Sequence, residues 1–74
     1  MHHTARLIKM ANDIGHFFNS DPDKEAAVDG VFDHLRKFWD PRMRKEIIQY
    51  YREGGSELSE LVRQAVKRLE LEQG

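Results

Sequence analysis

The stretch "FWDPRMRKE" (Phe38–Glu46) decides how this chain folds. Asp40-Pro41 is a helix-start pair. An aspartate accepts hydrogen bonds from the free N–H groups of a first turn, and proline fits the first helical position because its missing N–H has no helical partner there. The same proline disfavours helical geometry at the residue before it, so a preceding helix ends near Trp39. Upstream, Val28, Val31, Phe32, Leu35, Phe38 and Trp39 form one apolar stripe. Downstream, Met43, Ile47, Tyr50 and Tyr51 form another, widened by Ile48. Steps of three and four residues are the period of a helix with one face in a core, so the stretch is a corner between two helices.

The same punctuation divides the rest. Leu7, Met10, Ala11, Ile14, Phe17 and Phe18 place a helix over 4–18, closed by Asn19-Ser20. "SDPDKEAAV" repeats the start signal. Asp21 is the expected N-cap and Pro22 the first helical residue, while Asp23 and Glu25 suit the positive end of the helix dipole. This second helix is expected over 21–39, with Gly30 inside it marking a close helix crossing. A third follows over 41–53, stopped by Gly54-Gly55, because glycine takes the left-handed conformation freely. Leu58, Leu61, Val62, Ala65, Val66 and Leu69 place a fourth over 58–71, starting near Ser56 or Ser59, with a frayed tail. No segment alternates like a strand. The expected fold is all-α, a single domain over residues 1–74 built as a small bundle of four short helices, with antiparallel neighbours the default for such short loops.

At 74 residues the core is small, and such a chain buries only about 60% of its unfolded surface. There is no cysteine, which excludes disulfides, thiolate zinc sites and iron–sulfur ligation by this chain. Oligomerisation or a larger partner is then the available support. No apolar run reaches the roughly 20 residues of a membrane span. The N-terminus has no leader-like apolar region, so a cytoplasmic protein is expected.

The net charge of −1 is unevenly spread. Residues 1–33 carry three cations against six carboxylates, residues 34–52 six against two, and residues 53–74 three against five. The corner therefore lies in a basic centre between acidic ends.

Nothing resembles a catalytic constellation. Ser20, Ser56 and Ser59 fall at caps or loops, and Gly54-Gly55 lacks a phosphate-loop lysine. Asp13 and His16 offer at most two metal ligands, His34 borders the core, and His2-His3 could scavenge metal only weakly. Two features remain. One is the run Arg36, Lys37, Arg42, Arg44 and Lys45, which as a solvated face needs no function but as a binding surface suits carboxylates or phosphates. Free N–H groups at the start of the third helix could add to an anion site beside Arg42. The other is the set of aromatic pairs Phe17-Phe18, Phe38-Trp39 and Tyr50-Tyr51. Adjacent residues point about 100° apart on a helix, so a small bundle buries one member of each pair more easily than both. Phe38 is assigned to the core, and Trp39 or Tyr51 to a partly exposed surface. The partner-binding set is then Trp39, Arg42, Arg44, Arg36, Lys45 and Tyr51, of residue types enriched at binding hot spots.

"KMANDIGHFF" (Lys9–Phe18), "DPDKEAAVDGVFDHLRKFWDPRMRKEI" (Asp21–Ile47) and "GGSELSELVRQAVKRL" (Gly54–Leu69) together resemble the delta subunit of NAD-dependent, molybdenum-containing formate dehydrogenases. "HLRKFWDPRMR" is among the most specific parts. One departure is Ser59-Glu60, where many relatives are expected to start the last helix with Asp-Pro. The resemblance implies a non-catalytic accessory subunit that supports assembly, cofactor insertion or stability of a soluble complex. Its partners would be other formate dehydrogenase subunits, first the large catalytic one. Molybdopterin, iron–sulfur clusters, flavin and NAD would be carried by those subunits, and no cofactor is expected on this chain. Self-association, a small nucleic-acid-binding domain and direct binding of the molybdopterin dinucleotide stand as alternatives. The acidic overall charge weighs against nucleic acid.

Overall fold

Side chains at the ends of segments set where each helix begins. The computed structural model describes residues 4–73, so His2 and His3 lie outside the described residues. Within it, α1 spans Thr4–Phe18, α2 Lys24–Phe38, α3 Pro41–Arg52 and α4 Glu60–Gln73, with no strand among the described residues. The all-α, four-helix expectation holds.

The start of α2 corrects the expected boundary. Asp23, not Asp21, is the N-cap, and its Oδ1 accepts from the backbone N–H of Glu25 and Ala26 at 3.0 and 3.3 Å. Asp21 accepts from the N–H of Asp23 at 2.9 Å, a local turn that holds Pro22 outside the helix. Two Asp residues compete for one cap, and the later one wins because the former is spent on the turn. At the corner the expectation holds, with Asp40 accepting from the N–H of Met43 at 2.9 Å and Pro41 opening α3.

The stop at Gly54-Gly55 is a Schellman turn. Gly54 donates to the Tyr51 carbonyl at 3.0 Å and Gly55 to that of Tyr50 at 3.1 Å, with φ of +121° and +53° at the two glycines. The segment after it is pinned by three side chains, of which the periodicity singles out only Tyr50, and that for its ring and not its hydroxyl. Arg63 donates to the carbonyls of Gly54 and Gly55 at 2.8 and 2.7 Å. The Tyr50 hydroxyl accepts from the N–H of Glu57 at 3.0 Å. Asn12 donates to the Glu57 carbonyl at 2.8 Å and accepts from the N–H of Ser59 at 3.0 Å. Ser59, one of the two expected starts, caps α4 through Val62 N–H at 3.3 Å, and the helix runs from Glu60 and not from 58. It also continues to Gln73 instead of ending near 71, since no glycine or proline interrupts it before Gly74.

The core is one cluster drawn from all four helices. Ala11, Val31, Leu35, Ile47, Val62, Ala65, Val66 and Leu69 are fully enclosed within it. The Cα radius of gyration is 11.1 Å, close to the ~11 Å expected of a globular chain this long, so one core serves the whole domain. The pairing of α2 with α4 departs from the antiparallel default. Lys24 and Val28 share a groove with Gln64, while Asp29 pairs with Arg68 further along, so the two helices run in the same sense. Glycine sets two close approaches. At Gly15, an added Cβ would lie 2.5 Å from Val62 Cγ2, where α1 meets α4. At Gly30 it would lie 2.4 Å from the Phe18 ring, so the crossing expected there is a ring of α1 laid on α2.

Candidate functional site

The α2–α3 corner holds the basic run, and local geometry sorts its members into structural and exposed groups. Trp39 is 4% exposed and part of the core, whereas Phe38 is 72% exposed. Both expectations for this pair are corrected. The reason is local. Phe38 is the last residue of α2 and keeps the helical direction. Trp39 stands four residues past Leu35, on the buried stripe, and closes the core although its backbone has left the helix at φ −86° and ψ 139°. Phe38 instead packs on His34, ring centroids 4.8 Å apart.

Arg44 also faces inward. Its guanidinium donates to the carbonyls of Trp39 and Arg36, the latter at 3.3 Å. It therefore satisfies carbonyls that α2 leaves open at its C-terminus. Arg36 and Lys37 converge on Asp33 at 2.8 and 2.9 Å, and Arg36 stands 5.7 Å from the centroid of Phe32. Hydrogen bonds from Lys37 and then Arg36 hold the Asp33 carboxyl below the ordinary aspartate value. Much of the apparent positive charge on α2 is thus neutralised on its own surface.

Arg42 and Lys45 are exposed and have no ion-pair partner among the described residues. Both line the open groove between α3 and α4, together with Ile48 and the Arg52–Glu70 pair. Arg42 also borders the groove between α1 and α3, beside Arg6, Leu7 and Met10. Tyr51 is not part of this cluster. It lies nine residues beyond Arg42, roughly 13 Å along α3 at 1.5 Å per residue, half-buried with Arg63 5.9 Å from its ring centroid.

The corner is a poor fit for a phosphate-bearing dinucleotide. Of the first N–H groups of α3, proline supplies none and Asp40 takes that of Met43, so its carboxylate sits where an anion would have to approach. Arg44 is committed to α2, and the two remaining cations stand on an open surface. Among the described residues no group of three His, Asp or Glu side chains is placed to hold a metal ion, and Asp13 is paired with Lys9 at 3.1 Å. Among them, too, no helix is long and apolar enough to cross a membrane.

Fold and corner together define a small all-α domain whose distinguishing surface is an open, cation-rich turn between two helices. Residues 6–66 match the family model of the NADH-dependent formate dehydrogenase delta subunit FdsD, and the chain belongs to that family. The match includes the whole corner and most of the core. No curated protein and no solved structure matches the chain.

Proposed function

We propose that the chain is a non-catalytic accessory subunit of a cytoplasmic, molybdenum-containing formate dehydrogenase. It docks on the other subunits, first on the large catalytic one, and supports assembly, cofactor insertion or stability of the complex. The observation that carries this reading is the family match running through all four helices. The molybdopterin, iron–sulfur, flavin and NAD chemistry then belongs to the partner subunits, in keeping with a chain that has no cysteine.

Arg42 and Lys45 are the partner-facing cations in this account, with Arg36 at the edge. Trp39 and Arg44 act from within, by fixing how α3 leaves α2. Tyr51 contributes through the fold of the α3–α4 joint. The test is a cell lacking this chain. Formate-dependent NAD reduction should fall there, and less of the large subunit should be found in the assembled complex. The purified chain alone should oxidise no formate. Full activity and normal assembly without the chain would contradict the proposal.

A further inference from the structure

We propose that Phe38 is the apolar anchor of the docking surface, and that its occupant is an acidic segment of a different protein chain, not a second copy of this one. The inference rests on the docking role proposed above. It begins from a residue out of place. Phe38 continues the stripe Val28, Val31, Leu35 at helical spacing, yet those three are buried and Phe38 is 72% exposed. The stripe divides at its end: Trp39, four residues past Leu35, closes the core, and Phe38, three past it, is left outside. A ring left outside at the tip of a core stripe, steadied on His34, is pre-positioned for a partner's apolar pocket, and aromatic residues are enriched at the centres of interfaces.

Charge identifies the occupant. Residues 34–52 carry six cations against two carboxylates; Asp40 is engaged as a cap, and Glu46, in the groove with Arg42 and Lys45, accepts from the Thr4 hydroxyl. Arg42 and Lys45, four and seven residues beyond Phe38, have no ion-pair partner among the described residues. A two-fold contact centred on the corner would set these cations against their own counterparts. A head-to-tail contact could bring the corner to the groove of Glu46, Glu53 and Glu57 on another copy, but such contacts must either close into a ring or run on as an open polymer. A separate acidic chain meets neither difficulty.

The test uses the full chain with the formate dehydrogenase subunits. Wild type, Phe38→Ser and Phe17→Ser are compared for retention of the large subunit, with helicity checked by circular dichroism. Phe17 is the control because it is equally exposed, at 73%, on α1. Phe38→Ser should weaken retention by about 30-fold, the loss of a hot-spot residue, and Phe17→Ser by less than about twofold. Wild-type retention should fall as salt rises, as it does for contacts between exposed charges. Retention unchanged by Phe38→Ser, with the large subunit still held by wild type, overturns the anchor and leaves the docking role standing. Failure of wild type to hold any formate dehydrogenase subunit removes both. Concentration-dependent self-association that Phe38→Ser abolishes would show the occupant to be a second copy and overturn the inference.

Discussion

Phe38 and Trp39 are neighbours in sequence and opposites in environment, and the consequences differ accordingly. Trp39→Ala empties a core position and is expected to cost about 3–5 kcal/mol, measured by urea unfolding. In a domain this small that approaches global unfolding, so any loss of binding by this variant reports the fold first. Phe38→Ser should leave the unfolding midpoint nearly unchanged. Helical periodicity could show that one member of the pair is buried. It could not say which, because Phe38 and Trp39 stand three and four residues past Leu35 and both spacings fit the stripe. Arg44 likewise lies beyond what a helical wheel shows. A cation four residues after an N-cap looks exposed on a helical wheel, but a long side chain can fold back onto the previous helix. Arg44→Ala should cost about 1 kcal/mol by uncapping carbonyls of α2. Asp33 offers a titration at the same scale. Its folded carboxyl is held below its unfolded value, so the pairs with Lys37 and Arg36 support the fold above the ordinary aspartate range. That support is lost as pH falls through the lowered value. In a carboxyl-resolved NMR titration, Lys37→Met should raise the Asp33 midpoint towards the ordinary range, and no movement would contradict the assigned cause.

Helix boundaries were legible where one signal stood alone and misplaced where two competed. Asp40-Pro41 has no rival and opens α3 as read. "SDPD" offers two aspartates, and the choice of Asp23 follows from hydrogen bonds that the sequence does not display. Asp23→Ala should therefore cost about 1 kcal/mol of stability, the usual price of a lost N-cap, and Asp21→Ala less. The contact of α1 with α4 was not legible, because Gly15 reads as one more small residue on a helix. In the structure a Cβ there would collide with Val62, a stiff β-branched side chain that is fully buried. Gly15→Ala should cost about 1–3 kcal/mol despite alanine's better helix propensity. A stabilised variant in urea titration would show that α1 and α4 approach less closely than described. The hydrogen bonds of Arg63, of Asn12 and of the Tyr50 hydroxyl are not legible in the sequence, because each acts across tens of residues or through a turn, where periodicity carries no information.

As a whole molecule, the chain closes one small core and leaves a cation-rich corner uncovered. The fold class was legible because four amphipathic stripes with clear stops admit few other arrangements. The site was legible only as a neighbourhood. The sequence located the corner and its cations, but which of them are engaged within the fold depends on contacts that it does not display. Arg36 and Lys37 share Asp33, Arg44 caps α2, and Arg42 and Lys45 have no ion-pair partner among the described residues. The most direct test of the docking account is affinity purification of the tagged chain from its native cell at low salt, wild type against Arg42→Glu/Lys45→Glu, with large-subunit recovery quantified and thermal unfolding measured in parallel. The account expects recovery by wild type and its loss in the charge-reversed variant, at an unchanged unfolding temperature. Equal recovery with both chains would contradict it.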